Sequence, residues 1–268
     1  MRAWIVIGAL VVAACGDKKP APPSNEFEAF EQRYVAELEA LATAMRQKGK
    51  DVPDAEIPTG FRAVYIGTPG VFIDRKRVAT LAELQQKRAD LVAAIDANAK
   101  LVPTLGYSGP VVVFDLGSAS ASTAIQALRL FVNRTADFYV ARVDPETPAM
   151  ASHILCTGMK LRGTPGQARD AAQLSVFLDK GRTWVGISHV NEFEEIVDTA
   201  RGRDLDKLKD VLRAHKASAY FADRRDIELA ASAGSAADVL AALQALRDEG
   251  FTDIAVLTPE QLSARPQL

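Results

Sequence analysis

Residues 63–78, AVYIGTPGVFIDRKRV, and residues 175–190, SVFLDKGRTWVGISHV, organise the reading of this chain. Laid side by side without a gap, Val64 faces Val176, Tyr65 faces Phe177 and Ile66 faces Leu178. Further on, Phe72 meets Trp184, Ile73 meets Val185 and Val78 meets Val190. Each stretch reads as two apolar strands joined by a turn, Thr68-Pro69-Gly70 in the first and Asp179-Lys180-Gly181 in the second.

The similarity extends outward from the hairpins. Leu81, Leu84, Leu91 and Ile95 give helical spacing after the first hairpin. After the second come Phe193, Ile196 and Val197, a polar break at 201–203, then Leu205, Leu208, Val211 and Leu212. The acids Glu192, Glu194 and Glu195 there read as the solvated start of a helix. An apolar strand is expected next in each copy, Val111 to Asp115 and Ala219 to Asp223, both closing on an aspartate. A second helix follows, marked by Ile125, Leu128 and Phe131 or by Val239, Leu243 and Leu246. Each copy ends on a strand, 137–143 or 253–257, followed by a Pro-Glu pair.

The expected order is β-β-α-β-α-β, twice over, at residues 60–147 and 173–262. Alternating elements with β-branched strands imply an α/β (α+β) two-layer sandwich for each unit, with both crossover helices on one sheet face. Residues 148–172 are a connector punctuated by Gly and Pro, in which His153 to Cys156 are compatible with an added strand. One amphipathic helix is expected ahead of the repeats at 25–50, with Phe27, Phe30, Tyr34, Leu38, Leu41 and Met45 on one stripe. Asn25 and Glu28 form a capping-box pattern at its start.

The N-terminus carries an address. Arg2 is followed by a continuous apolar run from Trp4 to Ala14, shorter than the roughly 20 residues a spanning helix needs. Residues 1–14 therefore read as a signal peptide. The run ends Ala13-Ala14-Cys15-Gly16, the pattern of a bacterial lipobox, in which the Cys15 thiol takes the lipid before cleavage. Residues 15–24, rich in Pro and polar residues, suit a tether holding a folded body off a membrane. The expected location is the bacterial cell envelope, anchored by lipid on Cys15 with periplasmic domains. Gly16 directly after the cysteine favours the outer membrane over the inner by analogy with other lipoproteins.

Hydrophobic residues are 48% and charged residues 25% of the 268, an ordinary globular balance. A net charge of -2 leaves no basic footprint for nucleic acid. Two cysteines, Cys15 and Cys156, exclude a disulfide framework, and Cys156 reads as a small buried apolar residue.

With these elements in place, residues 174–258 resemble the periplasmic domain of the ExbD/TolR biopolymer transport family. The matching pieces are Leu174 to Ile187, Leu205 to His215, Ala219 to Asp223, Ala236 to Gly250, and Ile254 to Thr258. Asp115 takes the place of Asp223 in the first copy. The resemblance implies contact with an ExbB/TolQ-type channel, with Tol/Ton components or with peptidoglycan. It also implies dimerisation, which two copies in one chain would satisfy as an internal pseudo-dimer. The family's transmembrane helix with its proton-handling Asp has no match here; a lipobox stands in its place. Proton-driven work is therefore not implied.

No catalytic constellation can be assembled from the sequence. His153, His189 and His215 lie far apart and form no metal-ligand motif. Thr68-Pro69-Gly70 and Thr164-Pro165-Gly166 are turn chemistry without the lysine of a phosphate loop, and no cofactor motif is present. Residues 117–122 read as a flexible helix N-cap, and Asn133-Arg134-Thr135 as a sequon without a use in this setting. Asp115 and Asp223 remain the candidate binding residues, because sites in α/β folds gather at strand C-termini. The leading expectation is a non-catalytic binding or scaffold module of the envelope. The alternative is a periplasmic enzyme or small-ligand binder with its site near Asp115 and Asp223.

Overall fold

Both quoted stretches fold as antiparallel hairpins of matching register. β1 (Val64–Gly67) pairs with β2 (Gly70–Ile73), placing Tyr65 opposite Phe72. β7 (Leu174–Asp179) pairs with β8 (Arg182–Ile187), placing Phe177 opposite Trp184. Glycine closes the first turn for a steric reason. Gly70 has φ +131°, and a Cβ there would lie 2.4 Å from the carbonyl oxygen of Ala79.

The structure is a computed structural model that describes residues 64–73, 76–99, 111–141, 152–165, 172–190, 192–200 and 202–266. Cys15, the tether and the helix expected at 25–50 lie outside these residues. Among the described residues the protein is a mixed α/β chain. A third strand follows each hairpin, β3 (Lys76–Ala79) and β9 (Glu192–Val197). The first half continues with α1 (Arg88–Ala99), β4 (Val111–Asp115), α2 (Ala121–Leu128) and β5 (Thr135–Ala141). β6 (Ser152–Arg162) comes next. The second half continues with α3 (Leu205–Ala217), β10 (Asp226–Ala231), α4 (Ala236–Asp248) and β11 (Asp253–Val256).

Among the described residues, hydrogen bonding runs through eleven strands in the order β3-β2-β1-β4-β5-β6-β11-β10-β7-β8-β9. Within each half the pairings agree. β1, β4 and β5 are parallel, as are β7, β10 and β11, and each hairpin adds its two antiparallel strands outside. The residues read as a connector supply β6, antiparallel to β5 and parallel to β11, which joins the two halves in one sheet.

One alternate set of strand residues, including Val64, Ile66, Val112, Phe114, Val176, Ile227, Leu229 and Ile254, shares a single core with the apolar faces of all four helices. The helices therefore cover one face of the sheet, as the connection rule requires. On the opposite face, Phe177, Ala230, Ala255 and Leu257 pack under Leu262 of the C-terminal segment. The helix ends carry the expected chemistry. Ser235 and Asp238 form a capping box on α4. At its other end Gly250, at φ +85°, closes a Schellman motif in which Phe251 N donates to Leu246 O and Gly250 N to Arg247 O.

Two expected elements are corrected. Residues 219–223 do not form a strand: Phe221 N and Ala222 N donate to Ser218 O in a run of turns after α3. Phe221 is buried there while Tyr220 is exposed. The strand begins instead at Asp226. Its central Glu228 is fully buried. The second correction concerns Phe193, Ile196 and Val197, whose spacing suggested the start of a helix. They lie on β9, where Phe193 pairs with Gly186 and Ile196 with Thr183, so Glu192, Glu194 and Glu195 line a sheet edge. Spacings of three and one fit a short strand as readily as a helix when no full turn of apolar residues follows.

His215, near the end of α3, gives the fold a pH dependence. Burial lowers its pKa, against the opposing pull of Glu194 and Glu192. Its ring meets Phe221 edge-on at 6.1 Å. A depressed folded pKa means that the neutral ring is the folded form. The contribution is therefore complete above the ordinary value of about 6.5 and declines as pH falls from there towards the folded value. Urea unfolding at pH 7.5 and 5.5 is expected to show a smaller loss of stability for His215→Gln than for the unaltered protein. Equal losses would remove His215 from the account.

Candidate functional site

The two aspartates singled out in the sequence are not brought into one site. Asp115 closes β4, where its carbonyl oxygen accepts from Thr68 N at 3.1 Å. Asp223 is exposed in the turns that precede β10, at the opposite end of its strand from the position expected. The register places Ser232, directly after β10, as the counterpart of Asp115, since Ile66 pairs with Phe114 and Leu178 with Ala231. Arg224, beside Asp223, makes a two-pronged pair with Asp226 at 2.8 and 2.5 Å instead.

A cleft of about 290 Å³ opens elsewhere, between the halves. α1 and α2 of the first half form one wall, and the C-terminal ends of β10 and β11 with the segment after them form the other. Leu84, Ile125, Ala231, Leu257 and Pro259 supply its apolar surface. Its polar groups are Gln85, Arg88, Ser122, Gln126, Arg129 and Thr258, with no carboxylate among them.

The arginines dominate its electrostatics. Arg88 is the first residue of α1, and Arg129 follows the last residue of α2. The Nη2 of Arg88 donates to the backbone oxygen of Arg129 at 3.3 Å, which sets the Arg88 side chain against the end of α2. The Nε of Arg129 is buried without a hydrogen-bond partner. Burial, and then the charge of Arg88, lower the pKa of Arg129, although a guanidinium stays protonated at neutral pH. The nearby acid Glu83 is already engaged by Lys87 at 2.8 Å and by Thr80, which hold its carboxyl down at about 2. A cationic, donor-rich cleft with apolar walls is suited to holding an anion attached to an apolar body.

The mutual placement of the halves is fixed at a second point. Ala121 N donates to Gly234 O at 3.0 Å and Ala236 N donates to Ala119 O at 2.8 Å. Ser120 and Ser235, the N-caps of α2 and α4, are thus bridged reciprocally across the molecule.

Neither the arginine pair nor this bridge is legible in the sequence. Arg129 at a helix C-terminus reads as ordinary dipole compensation. The only local hint at the bridge is the shared small-residue N-cap, Ala-Ser-Ala in one half and Gly-Ser-Ala in the other. Among the described residues no helix is long and apolar enough to cross a membrane, and no group of three His, Cys, Asp or Glu is placed to hold a metal ion. The side chains of His153 and Cys156 are outside what the structure describes. No family model matches the chain, and no curated protein matches it in sequence.

Proposed function

We propose that this is a lipid-anchored, non-catalytic protein of the bacterial cell envelope whose two ExbD/TolR-like units act together as a binding and scaffolding module. The observation that carries the reading is the agreement of the halves. The orders β3-β2-β1-β4-β5 and β9-β8-β7-β10-β11 coincide, and the hairpins share one register. Such agreement supports an internal repeat in which two units take the place of a dimer, with β6 and the Ser120–Ser235 bridge as the joint. Each half runs β-β-β-α-β-α-β, one strand longer than the sequence pattern suggested. Anchoring rests on the lipobox at Cys15, and the proposed partners are an ExbB/TolQ-type channel, Tol/Ton components or peptidoglycan.

Two experiments test this reading. Cys15→Ser is expected to abolish acyl labelling and to shift the protein out of the membrane fraction. Retention with unchanged labelling would remove the anchor. In-cell crosslinking of the tagged, lipidated protein is expected to capture a channel or Tol/Ton component. Capture of abundant outer-membrane lipoproteins alone would break the link to that machinery. The cleft supports a second reading, small-ligand binding, and moves its site away from Asp115 and Asp223.

A further inference from the structure

We propose that the cleft between the halves is a binding site for a carboxylate carried on a short apolar chain, with Arg88 and Arg129 holding the anion. The inference deepens the small-ligand reading and does not depend on anchoring or on envelope partners.

Two arginines line the cleft, the Arg88 guanidinium anchored to the backbone oxygen of Arg129, and no carboxylate stands among the lining residues. Folding places these like charges in one cleft at a cost that the single hydrogen bond from Arg88 to the Arg129 backbone offsets only in part. A buried Nε without an acceptor adds to that cost. An anion supplied from outside offsets the repulsion, since a planar carboxylate accepts paired N–H bonds from a guanidinium fork. Gln85, Gln126, Ser122 and Thr258 add neutral donors around the arginines. The walls decide between a carboxylate and inorganic phosphate. Leu84, Ile125, Leu257 and Pro259 offer apolar surface for which a phosphate ion has no counterpart. The first turn of α2, next to the site, has its N-cap satisfied internally, with Ser120 Oγ accepting from Thr123 N at 3.2 Å. It therefore lacks the free amide cradle of phosphate loops. Both halves line the cleft, so occupancy would also tie one half to the other.

The test is calorimetric titration of the full chain in detergent with hexanoate, hexanamide and inorganic phosphate. Hexanoate is expected to bind at one site, more tightly than hexanamide by about tenfold. Its affinity is expected to fall as salt is raised. Arg129→Gln and Arg88→Gln should each weaken hexanoate by about tenfold, and the double variant should abolish binding. The unfolding midpoint of Arg129→Gln, which keeps the bond from Arg88 to the backbone, should stay level or rise, because the repulsion is relieved. A structural role for the pair predicts the reverse, a lowered midpoint. Equal binding of hexanoate and hexanamide, no binding of either, or full affinity in the double variant would overturn the proposal. Phosphate binding through the same arginines without hexanoate binding would overturn its ligand class.

Discussion

Glu228→Ala is expected to lower the unfolding free energy by about 3 kcal/mol, a large share of a domain's net stability. Glu228 lies in the middle of β10 with no exposed surface, on the sheet face opposite the helices. Its carboxylate receives Ser175 Oγ from β7 at 2.8 Å. From the C-terminal segment it receives Ser263 N at 2.8 Å and Ser263 Oγ at 2.6 Å. Ser175 Oγ in turn accepts from Ala264 N at 3.3 Å. One side chain thus latches the C-terminal segment onto two central strands, and that segment covers Phe177, Ala230 and Ala255 with Leu262. Removing the carboxylate leaves the buried Ser175 Oγ without its acceptor and releases both bonds from the more exposed Ser263. The relief of burying one fewer charge offsets part of that loss. Glu228→Gln keeps the shape but turns an amide NH2 towards a group of donors, so about half the loss is expected. Urea unfolding measures both variants. If the latch is the mechanism, the Ala variant should cost less in a background that already carries Ser263→Ala, because the two share one network. Full additivity, or a loss below about 1 kcal/mol, would mean that Glu228 is not what holds the segment.

The same residue explains why part of the fold could be read from sequence and part could not. The hairpins were legible because apolar alternation and turn residues are local. The pairs Tyr65–Phe72 and Phe177–Trp184 sit where the ungapped comparison puts them. The strand expected at 219–223 lies instead at Asp226–Ala231, where the buried Glu228 depends on partners that are not local. Those partners, Ser175 and Ser263, lie 53 and 35 residues away. β9 was misread because Phe193, Ile196 and Val197 carry no period long enough to separate helix from strand. β6 exceeded its expected extent for a related reason. Its Ser152–Arg162 span contains Gly158 and Lys160, and pairing on both sides by β5 and β11 overrides such local signals. The cleft was invisible for a stronger reason. Arg88 and Arg129 are 41 residues apart, and their facing wall comes from the other half. Only the folded chain places them together.

Arg203→Ala is expected to cost a further about 3 kcal/mol, measured separately, and to act on the joint between the halves. The Arg203 side chain is 5% exposed and pairs with Asp198 at 3.3 Å. Its Nη1 also donates to the backbone oxygen of Arg182, and its Nη2 to Ala233 O at 3.4 Å. Ala233 precedes Gly234, the residue whose carbonyl takes Ala121 N across the molecule. Gly234 stands at φ +106°, and a Cβ there would lie 2.9 Å from Arg203 Nη2, so the loop is moulded around the guanidinium. Truncation leaves the Asp198 carboxylate and two carbonyls without their donor. Arg203→Lys keeps the charge but not the fork, and is expected to recover about half of the loss. Amide exchange separates a local effect from a general one. Protection at Ala121 and Ala236, the two bridging amides, should fall more than protection within β1 or β7. If it does, hexanoate affinity in the cleft should fall as well, since Ser122 and the two arginines stand on the half whose position the bridge sets. A uniform loss of protection throughout the sheet would instead make Arg203 a general stabiliser, with no special hold on how the halves meet.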